Sequence, residues 1–144
     1  MIYSSGSREE TAKIAKDFLG SLEKGGEATV VALEGELGAG KTAFTQEVGK
    51  ILGVEENMHS PTFAIEKIYE IDWQGFKNLI HIDAYRLEKD SELEHLGWNE
   101  IIQESENLIF IEWPENVRSL IPADAKRIQF KFIDDNTREI SYES

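Results

Sequence analysis

Cysteine is absent from the 144 residues. That excludes disulfides, thiolate metal sites and cysteine nucleophiles, and it suits a reducing compartment. No apolar run approaches the length needed to span a bilayer. The first ten residues, Met1 to Glu10, lack the apolar core of a signal peptide, so a cytoplasmic location and no membrane partner are expected. Positive charge is scarce: 15 Lys and Arg stand against 28 Asp and Glu, a formal net charge of −13. The bases are scattered among the acids without a cluster. Strong direct binding to nucleic acid is therefore not expected, because a nucleic-acid reader displaces counterions with a basic face. Such acidity serves solubility or matches a basic partner surface. Internal repeats, linkers and low-complexity segments are also missing. The length has room for one domain over 1–144 and one core, so a second domain would have to come from another chain.

What the chain does contain is a complete G-x-x-x-x-G-K-[ST] stretch, Gly35-Glu-Leu-Gly-Ala-Gly40-Lys41-Thr42. The run before it, Ala28 to Glu34, reads as a buried strand. Lys41 to Leu52 after it carries Phe44, Val48, Ile51 and Leu52 at the spacing of one helix face. Strand, loop and helix in that order are the context in which the motif means phosphate binding. Gly35, Gly38 and Gly40 let successive N–H groups point into one concavity, with no side chain between amide and phosphate. The anion then sits at a helix N-terminus, within reach of Lys41 as a point charge, and the Thr42 hydroxyl is placed to ligate magnesium. The candidate nucleotide contacts of the loop are Gly35, Leu37, Gly38, Ala39, Gly40, Lys41, Thr42 and Ala43. No N-K-x-D run for guanine occurs, which favours adenine.

Further along, Ser7-Arg-Glu-Glu10 has the form of a capping box, ahead of a helix with Ile14, Ala15, Phe18, Leu19 and Leu22 on one side. Gly25-Gly26 ends that helix and Gly53 ends the next. Strands are expected at Phe63–Ile71 and Lys77–Leu87, joined by a turn at Asp72-Trp-Gln-Gly75 into an antiparallel hairpin. Asp90-Ser91 can cap a helix running through Gln103. Asn107–Glu112 reads as a buried strand broken by Trp113-Pro114. A helical turn at Val117–Ile121 and strands at Lys126–Ile133 and Glu139–Tyr142 complete the chain. Helices and strands alternate early and strands dominate later. This predicts an α/β fold, a three-layer P-loop NTPase-like sandwich around a mixed sheet, parallel near the loop and antiparallel at its edges. Ligands sit at the carboxyl ends of the strands in such sheets.

Two apolar runs end in an acid, Leu79-Ile-His-Ile-Asp83 and Leu108-Ile-Phe-Ile-Glu112. Beside a phosphate loop, either carboxylate can hold magnesium, usually through water, or polarise an attacking water. In Ser60-Pro-Thr-Phe63, Thr62 can sense the third phosphate as part of a switch. The same segment also reads as a plain loop before a strand, and the residues leave this open. His81 reads as a core or edge histidine before a ligand. Arg86 can pair with a phosphate, with Asp83 or with a surface acid. Trp98 reads as core, and Trp113 faces the site or a partner.

Taken together, Gly35-x-Leu-Gly-Ala-Gly-Lys-Thr42, Ser60-Pro-Thr-Phe63, His81-x-Asp-x-Tyr-Arg86 and Ile111-Glu-Trp-Pro-Glu115 closely resemble the TsaE family. These are small bacterial P-loop ATPases of tRNA threonylcarbamoyladenosine biosynthesis. Four motifs in the right order, with an initial Glu10-Thr11 helix, carry the resemblance over residues 7 to 133. Ala43 stands where a second threonine is common. The resemblance implies binding of ATP and Mg2+, slow hydrolysis alone, and docking on the TsaB–TsaD pair that transfers threonylcarbamoyl to adenosine 37 of tRNA. Hydrolysis would support turnover of that complex, which itself holds the tRNA. The resemblance puts Lys41 on the phosphates, Thr42 on magnesium, Asp83 and Glu112 in metal and catalytic positions, and Thr11 near the adenine. A small-molecule phosphotransferase is an alternative, but no lid or acceptor pocket is visible in the sequence. A nucleotide-dependent, non-hydrolysing binding module is another. Arg86 is the sole basic side chain beside a site motif, so intrinsic catalysis should be weak, with a partner supplying the missing charge.

Overall fold

A computed structural model describes residues 2–35, 40–54 and 66–142. Leu37, Gly38, Ala39 and Thr62 lie outside the described residues. Among the described residues, seven strands form one sheet: β1 (Ile2–Ser5), β2 (Thr29–Gly35), β3 (Glu66–Trp73), β4 (Phe76–Asp83), β5 (Asn107–Glu112), β6 (Lys126–Asp134) and β7 (Thr137–Tyr142). Four α-helices accompany them: α1 (Arg8–Gly20), α2 (Lys41–Ile51), α3 (Asp90–Glu94) and α4 (Trp98–Ile101), with a 3-10 helix at Pro114–Leu120. The sheet order is β1-β7-β6-β2-β5-β4-β3. The inner strands β6, β2, β5 and β4 run parallel, while β3, β7 and β1 join antiparallel at the two sides. The mixed sheet expected from the sequence is thus observed.

Side-chain alternation along the strands divides the interior into two layers. On one face Val31, Leu33, Leu79, Leu108, Phe110, Ile128 and Phe130 pack under α1 and α2. Phe18 of α1 meets Phe44 of α2, Phe110 and Tyr142 edge-on, with ring centroids 6.2, 6.4 and 5.1 Å away. Such edge-to-face contacts favour the ring quadrupoles. On the other face Val30, Ala32, Ile80, Ile82, Ile109 and Ile111 pack against Leu93, Trp98 and Val117 from the short helices. Strands covered on both faces read as unbroken apolar runs, which is why β2, β4 and β5 were legible.

The cap at Ser7 and the stop at Gly53 operate as read, whereas α1 ends at Gly20, before the expected stop at Gly25-Gly26. The Glu10 N–H donates to Ser7 Oγ at 3.2 Å, and Glu10 Oε1 accepts from the Gly6 N–H at 3.3 Å. At the end of α2 the Val54 N–H donates to the Gly49 carbonyl at 2.8 Å, closing the turn at Gly53. Two further expectations need correction, and one strand carried no expectation. The strand expected to run to Leu87 stops at Asp83, because the Asp83 carboxylate caps a turn through the Tyr85 N–H at 3.0 Å. The helix expected from Asp90 to Gln103 is two short helices, interrupted by Gly97 at φ 90°, and in place of the expected Asp90-Ser91 cap Lys89 precedes the first without a side-chain cap bond. The N-terminal residues also form a strand: Ile2–Ser5 pairs with Arg138–Ser141, a long-range pairing without a local periodic signal.

Gly35 closes β2 at φ +146°, opposite Phe130 in the register with β6. A Cβ there would meet the Phe130 carbonyl oxygen at 2.5 Å, a backbone atom with no means of swinging aside. Gly35→Ala should therefore destabilise the protein by roughly 2 kcal/mol or more. Gly26→Ala, where nothing lies within 4 Å, should change stability by less than about 0.5 kcal/mol. Urea unfolding of the two variants beside the unaltered chain checks the contrast.

Candidate functional site

The parallel register across the middle of the sheet aligns three strand ends. Leu33 of β2 pairs with Glu112 of β5, and Glu112 pairs with Asp83 of β4. Partners in register share a face, so Asp83 and Glu112 both project on the side of α1 and α2. Lys41 begins α2 on that side. Gly40 precedes it at φ 100°, a backbone state that glycine adopts without strain.

Lys41 is only 4% exposed, so its ammonium needs partners inside the protein. Nζ donates to the Gly35 carbonyl at 2.6 Å and lies 3.9 Å from the centroid of the Trp113 ring. A cation over an indole face is attracted by the ring quadrupole. Burial pushes the Lys41 pKa down, and Glu112, Glu115 and Asp83 pull it back up. Trp113 itself holds φ 58°, ψ 50°, a left-handed state costly for a non-glycine residue. Its indole is half-buried and lies 5.1 Å, centroid to centroid, from the exposed Tyr85 ring.

The two acids differ in surroundings. Asp83 is half-buried, and burial raises its pKa; the Tyr85 N–H lowers it, Glu112 raises it, and His81 and Lys41 lower it. Glu112 is buried, and its Oε2 lies 2.6 Å from His81 Nε2. Thr42 stands half-buried in the first turn of α2. Its hydroxyl and the two carboxylates are oxygen donors of the kind magnesium takes. Among the described residues, no group of three or more His, Asp and Glu is assembled into a metal cage.

A cavity of about 230 Å³ adjoins the start of α2, lined by residues including Ser5, Thr11, Gly40, Ala43, Asn136 and Arg138. Thr11 and Ala43 are therefore brought together with Gly40. The Thr11 hydroxyl is bound to Ser5 Oγ at 2.7 Å and to the Ser7 carbonyl at 3.2 Å. Arg138 was missed by sequence reasoning. A methyl on Gly40 would lie 3.5 Å from Arg138 Cγ. The Arg138 guanidinium donates to the Asp134 carbonyl at 2.6 Å and stacks 4.6 Å from the Phe132 ring centroid. No motif marks this hairpin, and only its long-range pairing carries it to the site. Arg86, weighed as a partner for Asp83, is exposed, and Asp83 instead accepts from the Tyr85 N–H. Trp98 is core, as read.

Fold and site together define an α/β protein of the P-loop NTPase-like class. The crystal structure of Bacillus subtilis YdiB superposes with a TM-score of 0.75 at 30% identity, covering 99% of this chain and 83% of that one. The family profile described as "Threonylcarbamoyl adenosine biosynthesis protein TsaE" matches residues 5–140, past the motifs and into the final hairpin. A Rickettsia typhi "tRNA threonylcarbamoyladenosine biosynthesis protein TsaE" is 36% identical over 138 residues, 95% of this chain and 90% of that protein. The Bacillus subtilis protein of the same name is 37% identical over 134 residues, 93% and 79% of the two chains. The chain belongs to the TsaE family of tRNA threonylcarbamoyladenosine biosynthesis. No described helix is long and apolar enough to cross a membrane.

Ionised Asp83 costs the unliganded fold energy, because burial and Glu112 both raise its folded pKa. The cost is present above the folded value and vanishes below the unfolded one, near 3.9. Asp83→Asn should stabilise the unliganded protein at pH 7 by up to about 1 kcal/mol, allowing for solvent screening of a half-exposed group. The gain should fade as pH falls toward 4. Denaturation at both pH values measures it.

Proposed function

We propose that the chain binds ATP with magnesium, hydrolyses it slowly, and supports turnover of a TsaB–TsaD complex that places threonylcarbamoyl on tRNA position 37. The observation that carries this reading is a buried lysine at the N-terminus of α2, on the same sheet face as two carboxylates in one register row. Together they offer positive charge and amide dipoles for phosphates, and oxygen donors for the ion that accompanies them. Membership of the TsaE family ties the reading to tRNA modification.

In this reading Lys41 exchanges the Gly35 carbonyl for the terminal phosphates. The backbone of Gly35, Leu37, Gly38, Ala39 and Gly40 would supply amides to those phosphates, and Thr62 would respond to the third. Thr42, with Asp83 or Glu112, would hold magnesium, and the other acid would orient the attacking water. Magnesium, when bound, neutralises charge on the phosphate oxygens. Thr11, Ala43 and Arg138 take the adenine end in the cavity beside Gly40. Charge missing from the transition state comes from the partner complex, which also holds the tRNA, in keeping with the net charge of −13. The site of action is the cytoplasm.

Equilibrium binding of a fluorescent ATP analogue, with magnesium-dependent phosphate release measured alone and with TsaB–TsaD and tRNA, tests the proposal. Lys41→Ala should weaken binding and abolish turnover. Asp83→Ala and Glu112→Ala should each lower turnover at least about tenfold while preserving binding, a loss of about 1.4 kcal/mol in transition-state stabilisation. Unaltered turnover in both acid variants overturns the assignment. Phosphate transferred to a metabolite would make the chain a phosphotransferase, and binding without turnover would make it a nucleotide-dependent binding module.

A further inference from the structure

We propose that His81 is a positioning residue that sets the orientation of Glu112; the inference rests on the ATPase reading above. His81 is fully buried in β4, between Leu79 and Asp83 on the α1 and α2 face. Its register partner is Phe110, so it stands diagonally across from Glu112. The 2.6 Å contact from Nε2 to Glu112 Oε2 is the ring's one hydrogen bond among the described residues, where Nδ1 has no partner. Packing does not account for an imidazole here, since Leu79 and Phe110 fill neighbouring positions on the same face with apolar side chains.

The chemistry gives the bond its direction. Toward an ionised Glu112, Nε2 must carry the proton and donate it. A charge-assisted bond of this kind is stronger than a neutral one, and it fixes the plane of a side chain that otherwise has several rotamers. Asp83, two residues along the same strand, then faces a carboxylate of defined orientation. Small misplacements of a reacting or ligating group cost up to about a hundredfold in rate, so loss of the tether should appear in kcat more than in substrate binding.

Glutamine and asparagine separate this role from packing. From the same Cβ, the Gln amide nitrogen reaches the place of Nε2, whereas that of Asn reaches only the place of Nδ1. His81→Asn should lower kcat for ATP·Mg hydrolysis about tenfold or more with KM within about threefold. His81→Gln should keep at least about a third of kcat, and the two variants should melt within a few degrees of each other. Wild-type kcat in His81→Asn, or equal losses in both variants, overturns the proposal. Should His81→Asn not fold, His81→Leu, which fills the space as Leu79 does, replaces it with the same expectation. Absent turnover in the unaltered chain with and without its partner complex would instead be a failure of the ATPase reading. The tether is then read without turnover, from NMR of the labelled imidazole: a protonated Nε2 whose signal shifts in Glu112→Ala supports it, and an unprotonated Nε2 or an unchanged signal overturns it.

Discussion

The pairing of β5 between β2 and β4 is the constraint on which the site depends. It places Leu33, Glu112 and Asp83 in one row at the carboxyl ends of three parallel strands, beside the start of α2. A slip of one residue in β4 would turn His81 and Asp83 to the opposite face, into the layer occupied by Leu93 and Trp98. That slip is opposed by burial on both faces. Ile80 and Ile82 fit under the short helices, Leu79 lies under α1 and α2, and exchanging the sets would empty one layer and crowd the other. The geometry of the acids is thus enforced by the apolar residues that alternate with them.

The sequence was most legible where function and burial left periodic or punctuated patterns. The two apolar runs ending in acids, the Ser7 cap and the Gly53 stop each rest on a local rule, and the fold class followed from the order of the elements. The misreadings share a different cause. Gly97 sits inside an otherwise plausible helical stretch, where its left-handed backbone splits α3 from α4. Asp83 was read as lying within a strand that continues, although its side chain makes the turn that ends it. β1 and Arg138 owe their positions to pairings across the whole length of the chain, which no window of neighbouring residues encodes.

The site carries features that the fold would be more stable without. Lys41 is buried on an indole and a carbonyl, Asp83 is desolvated beside Glu112, and Trp113 holds a strained backbone. Strain and mismatched charge concentrate where local consistency gives way to function. These costs are mutually related: the same acids that raise each other's energy support the lysine charge. A polyanion with its cation would satisfy Lys41, Asp83 and Glu112 together, which is the physical sense in which these charges suit the proposed ligand.

The two ends of that site rest on unequal foundations. The end that carries the row of acids is built from β2, β4 and β5, which are hydrogen-bonded on both sides and covered on both faces. The cavity beside Gly40 is built from Ser5, Thr11, Asn136 and Arg138, and thus from β1, the start of α1, the turn between β6 and β7 and the start of β7. β1 is a four-residue edge strand with Ile2 largely exposed. Local opening draws on such weakly buried elements at a free energy well below that of global unfolding. The cavity can therefore loosen while the row of acids and Lys41 stays in register, so that adjustment at one end need not disturb the charges at the other.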